Sequence, residues 1–191
     1  MGPDVIPDLE EIWEEGSLSL LFQSRIEEII HDIRFNSVKK ELNEWNKHRN
    51  EDLLEGMYLL AKYQYPELKR VEIEEPIDKL ARDIWIELNE NLTALEKMRV
   101  INHILYDVHG LTGNTTNYLA PTNSYLNDAL HSKTGNPISL SILNIILGDK
   151  LGLPIKGINL PRHFIIAWED DFFSRFNQEM ESPIMFYANP F

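Results

Sequence analysis

Hydrophobic residues recur at helical spacing through the first two-thirds of the chain and shift to short β-rich runs only near its end. Residues 6–15 form a short acidic amphipathic segment that Gly16-Ser17 interrupts. From residue 18 to 45 the apolar positions Leu18, Leu21, Phe22, Ile26, Ile29, Ile30, Ile33 and Val38 predict a long helix, with Phe35-Asn36 as its weakest point. Asn50 or Asp52 caps a third helix reaching Tyr63, with Leu53, Leu54, Met57, Leu60 and Ala61 as its apolar face. Pro76 is expected to open a fourth helix that runs to about Asn89. Thr93-Ala94-Leu95-Glu96 is a capping box, followed by Met98, Ile101, Ile104, Leu105 and Val108 at helical period and by Gly110 as the stop.

The stretch 111–130 is rich in Asn, Thr and Tyr and reads as a long ordered loop. Asn136 then caps a helix with Pro137 in its first position. That helix, 137–151, is apolar on most sides (Ile138, Leu140, Ile142, Leu143, Ile145, Ile146, Leu147), as expected of a centrally buried element, and Gly152 and Pro154 end it. The runs 155–160, 164–168 and 184–188 predict strands of one small antiparallel sheet. The fold class expected is α+β: a helical N-terminal region, 1–75, and a core, 76–191, in which one buried helix lies against the sheet.

Composition narrows the function classes. In 191 residues, 43% hydrophobic and 26% charged, the chain has material for a real core. Its net charge of −13 disfavours nucleic acid and anionic membrane surfaces, since the basic clusters Lys39-Lys40, Lys47-His48-Arg49 and Lys69-Arg70 are short and sit among acids. There is no cysteine, which excludes disulfides, thiolate metal sites and a thiol nucleophile, and suits a cytoplasmic location. Histidines 103 and 109 point to different sides of their helix, so no metal site is expected, and no cofactor motif is present.

Five ordered motifs carry a resemblance. They are Asn123-Ser124-Tyr125-Leu126-Asn127, Gly135-Asn136-Pro137-Ile138-Ser139-Leu140, Leu151-Gly152-Leu153-Pro154, Leu160-Pro161-Arg162-His163-Phe164, and the closing Asn189-Pro190-Phe191. Together they resemble the transglutaminase-like superfamily, and within it the bacterial branch related to the invasion regulator Sir-B. The resemblance implies a papain-like arrangement in which a cysteine opens the central helix, a histidine starts one strand and an Asp or Asn lies on the next. His163 and Asn189 fall at the second and third places, and Pro137 stands at the first. It also implies further strands beyond Phe191.

The resemblance without its cysteine implies a catalytically inactive domain that binds a protein or peptide. Asn136, Pro137, Arg162, Tyr118 and Trp168 are its candidate binding residues, and the segment 112–118 a wall of the groove. The competing reading is a hydrolase or acyltransferase in which His163 and Asn189 act with Ser141 or a water. Ser139 lies about 200° round the helix from Pro137 and Ser141 about 40° off its direction but a turn further in, so both read as packing serines bonded to carbonyls one turn back.

Overall fold

A computed structural model describes residues 2–14, 19–48, 52–161, 163–169 and 184–190. The chain divides into two compact units, 1–68 and 69–191.

The first unit is built on three helices, α1 (Ile6–Glu14), α2 (Leu20–His48) and α3 (Leu53–Gln64). α2 runs unbroken through Phe35-Asn36, because Ile26, Ile30, Ile33 and Val38 stay buried on one face across that point. Leu21 and Phe22, expected on the same face, are exposed, and Leu18 lies outside the described residues. Asp52 caps α3, its carboxylate accepting the Glu55 N–H at 3.0 Å. Leu54, Met57 and Ala61 are buried as expected, but Leu59 takes the inward place and Leu60 is exposed. The Trp45 indole donates to the Asp52 carbonyl at 2.7 Å, and a Cβ at Gly56 would lie 2.5 Å from its ring. The glycine is what lets helix and indole approach so closely.

The second unit opens with α4 (Arg70–Glu87), which starts before Pro76 and carries it inside. The expected helix start at Pro76 is corrected by packing. Ile73 lies one turn before Ile77 on the stripe continued by Leu80 and Ile84, and all four are buried. Burying Ile73 outweighs the single backbone hydrogen bond that proline removes. Glu72 secures the new start, accepting the Lys69 N–H at 2.8 Å.

Thr93 and Glu96 form the capping box of α5 (Ala94–Asn102). After Asn102 the helix widens into a π turn, His103–Val108, in which the His109 N–H bonds the Ile104 carbonyl five residues back. The extra residue per turn shifts the positions after it round the axis, so Val108 is exposed while Ile104 and Leu105 stay buried. Gly110 adopts a left-handed conformation and ends the element.

The segment 111–130 is more structured than a loop. It holds β1 (Thr112–Gly113), a short 3₁₀ turn (Pro121–Ser124) and the start of α6 (Leu126–Ser132), whose Leu126, Ala129 and Leu130 are buried at helical spacing. β1 pairs in parallel with β2 (Thr134–Gly135).

Next comes α7 (Pro137–Leu151), which packs on α4, α6 and the sheet of β3 (Ile155–Leu160), β4 (His163–Glu169) and β5 (Ile184–Ala188). The sheet is antiparallel, in the order β3-β4-β5. Leu140, Leu143 and Leu147 of α7 meet a core that includes Ile155 and Ile166. A Cβ at Gly148 would lie 2.9 Å from that of Ile155, so glycine sets the helix against β3. No described helix is long and apolar enough to cross a membrane.

Candidate functional site

The entrance to α7 is organised by its own cap. Asn136 accepts the Ser139 N–H at 2.8 Å, and Ser139 Oγ accepts the Asn136 N–H at 3.0 Å. Ser139 thus serves the cap, where a bond to the carbonyl a turn back was expected; its hydroxyl donates to the Asn136 carbonyl, three residues back. Gly135 makes room for this, because a Cβ there would lie 2.6 Å from Ser139 Oγ.

Asn123 holds the segment in front of α7 and is nearly fully buried. It donates to the carbonyls of Asn117 and Tyr118 at 2.8 and 3.0 Å and accepts the Asn114 amide at 2.9 Å. Asn114 in turn accepts the Asn117 N–H. Ser124 Oγ accepts a bond from Asn136 Nδ2, which ties this segment to the helix cap. Three asparagine side chains therefore reinforce the few backbone bonds of the segment's turns.

These supports shape a cleft of about 700 Å³. Tyr118 and Leu119 form one wall, Asn136, Pro137 and Ile138 the helix end, and Asn159, Leu160 and His163 the strand side. Asn189 also lines it, directly after β5. The register pairs Ala188 with Ile166, so one further step brings Asn189 beside Ile165, two residues along β4 from His163. Five of the residues singled out in the sequence, Tyr118, Asn136, Pro137, His163 and Asn189, thus share one cleft.

Two others, Ser141 and Trp168, do not join them. Ser141 is fully buried and does not line the cleft, and its Oγ has no hydrogen-bond partner among the described residues. This corrects both expectations for it: it makes no bond one turn back, and it presents no hydroxyl to a substrate. The reason is that α7 is covered on the side Ser141 faces, one turn beyond the open first turn. Trp168 is buried and stacks on Phe186 at 6.1 Å between ring centroids, which places it in the sheet's packing and outside the cleft. Arg162 lies outside the described residues.

Behind the cleft, the π turn delivers a residue that sequence reasoning passed over. The Tyr106 hydroxyl donates to the Pro190 carbonyl at 3.0 Å and accepts Asn144 Nδ2 from α7 at 3.3 Å. It joins the central helix to the chain immediately after Asn189. Burial pushes the Tyr106 pKa up, partly offset by the Asn144 bond. The helical period displayed no signal for this, because α spacing does not describe residues 103–108. His109, on the same turn, pairs with Asp83 of α4 at 2.7 Å, and His103 with Asp107 at 3.0 Å.

A family model described as the transglutaminase-like superfamily matches residues 71–191. Among curated proteins, a UPF0162 protein of Xylella fastidiosa is 32% identical over 114 residues, which is 60% of this chain and 41% of that protein. A UPF0162 protein of Vibrio cholerae is 27% identical over 73% of the chain and 48% of its own length. Human F-box only protein 21 is 24% identical over 81% of the chain but only 28% of its own length. The chain thus spans less than half the length of each of these relatives. No solved structure matches the chain significantly. With helix, sheet and motifs in the expected order and the family model covering well over half of the residues, the chain belongs to the transglutaminase-like superfamily, in a form without a cysteine to serve as nucleophile.

Proposed function

We propose that this domain is a catalytically inactive transglutaminase-like core that binds a protein or peptide segment in the cleft around His163. The observation that carries the reading is the entrance to α7: in a chain without cysteine, Pro137 occupies the first helical position, where the motifs put the nucleophile. Acyl transfer needs a group that forms and breaks a covalent acyl bond, and proline has none. Binding needs only the groove.

The lining suggests what is bound. Among its described residues there is no Asp, Glu, Lys or Arg, although the chain carries 31 acidic and 18 basic residues. Tyr118, Leu119, Ile138 and Leu160 are exposed around it, Leu119 at 88%. Asn159 adds a carboxamide that can donate to and accept from a peptide main chain. An uncharged, extended segment with apolar side chains fits that combination. His163 and Asn189 serve in this reading as polar groups facing the ligand.

The relatives are consistent with a module. The stretch similar to this chain makes up under a third of human F-box only protein 21 and about two-fifths of the Xylella protein. On its motifs we place the chain in the Sir-B-like branch, with 1–75 as a helical accessory region to a core at 76–191, acting in the cytoplasm. The competing hydrolase reading loses Ser141 as nucleophile and is left with a water activated by His163.

Selection of peptides from a random display library against the whole chain tests the proposal. Uncharged binders should perturb the amide resonances of Ile138, Asn159 and His163. Leu160→Asp should weaken them about tenfold, roughly 1.4 kcal/mol. Binders that leave those resonances unmoved, or no binders at all, would refute it.

A further inference from the structure

The three-helix unit holds a second cavity that is independent of the cleft and opposite to it in chemistry. It has a volume of about 450 Å³ and lies where the last residues of α1, Trp13 and Glu14, and the end of α3, Tyr63 and Gln64, meet α2. Three carboxylates line it, Glu10, Glu14 and Glu27, against one guanidinium, that of Arg34. Arg34 is already engaged, with Glu10 at 2.7 Å. Glu14 and Glu27 have no ion-pair or hydrogen-bond partner among the described residues.

Two further features add to the negative field or to its reach. α3 brings its C-terminal end to the cavity, where the helix dipole is negative. Aromatic rings supply the walls. Trp13 is 40% exposed, which leaves part of its indole open to the cavity. The Tyr63 ring is held in place: its hydroxyl bonds His31 Nε2 at 2.7 Å, and it meets the His31 and Phe35 rings edge-on at 5.7 and 5.9 Å. A ring fixed before binding costs little entropy on binding.

We infer that this cavity is a binding site for the arginine side chain of a partner polypeptide. The acids are not gathered tightly enough for a metal ion: among the described residues no group of three or more His, Asp or Glu could hold one. Carboxylates carried by separate helices, Glu14 on α1 and Glu27 on α2, suit a larger organic cation. A planar guanidinium can lie on the indole face and donate in fork geometry to Glu14 or Glu27 at once, which a compact ammonium cannot. Ile30, which is buried, and Pro66 give the aliphatic stem an apolar surface.

The test is calorimetric titration of the whole chain with a blocked Gly-Arg-Gly peptide and with its citrulline counterpart, which keeps the shape and loses the charge. The arginine peptide should saturate one site and the citrulline peptide should bind at least tenfold more weakly. The lysine peptide should also be several-fold weaker than arginine. Glu14→Gln combined with Glu27→Gln should abolish the difference between arginine and citrulline. Trp13→Phe should retain part of the affinity and Trp13→Ala should lose it. His163→Ala, in the other site, should change nothing. Equal binding of arginine and citrulline peptides by the unaltered chain would overturn the inference, as would no binding of either. Equal binding of lysine and arginine would overturn the assignment to a guanidinium. These comparisons need no variant to fold.

Discussion

Gly135 shows how much a single residue sets at the entrance to α7. Its missing side chain leaves room for Ser139 Oγ, which closes the cap with Asn136. Gly135→Ala should push Ser139 out of that bond and destabilise the chain by about 1–3 kcal/mol, the range of an overpacked site that also loses a cap. Ser139→Ala alone should cost about 1 kcal/mol. The double variant should cost less than the sum, because the clash partner has gone. Chemical denaturation of the four proteins measures this; strict additivity would mean that the two residues do not meet. The cap itself was legible, since Asn-Pro before an apolar run has few other meanings. Asn123 was not. A buried asparagine in a polar stretch looks like any other until its three bonds are seen.

At the scale of elements, the π turn is the feature with the widest consequence. It turns Tyr106 toward α7 and toward the backbone just after Asn189. Tyr106→Phe should leave the Pro190 carbonyl without its donor and cost about 1–3 kcal/mol. The pH dependence has a definite sign. Burial raises the Tyr106 pKa in the folded state, so the folded protein holds the phenolic proton more tightly than the unfolded one. The stability this group contributes is complete below the ordinary tyrosine pKa and is lost as pH rises through the raised folded value. Unfolding midpoints across the alkaline range should therefore fall more steeply for the unaltered chain than for Tyr106→Phe. Parallel curves would show that the phenol is not protected. Capping boxes and apolar stripes made most helices readable, including α5 and α7. The start of α4 was misread because proline is a local signal, whereas the burial of Ile73 is a tertiary gain.

For the whole molecule, the question is whether the superfamily's chemistry survives. Without a thiol it should not: incubation with an amine donor and a glutamine-bearing acceptor should give no turnover above the uncatalysed rate. Pro137→Cys should not restore it. The N–H groups of Asn136 and Ser139, at the helix end where an oxyanion would need donors, are spent on each other's side chains. Turnover in the unaltered chain that His163→Ala removes would identify a water-based hydrolase or transferase and displace the binding reading.

The sequence by itself determined the long helices and their order, the caps that start and stop α7, the run of short strands after it and the absence of a thiol. These rest on local chemistry: period, capping side chains, β-branched runs and a residue count. Only the tertiary structure decided which of the named residues share a cleft. It brought Tyr118, Pro137, His163 and Asn189 together, set Trp168 into the sheet's packing and buried Ser141 one turn too deep. It also decided that Tyr106 and Asn123 are the residues that hold the cleft's parts. The reason is that exposure and partnership belong to pairs of elements distant in sequence, here as far apart as the 84 positions that separate Tyr106 from Pro190. No pattern within one element carries that distance.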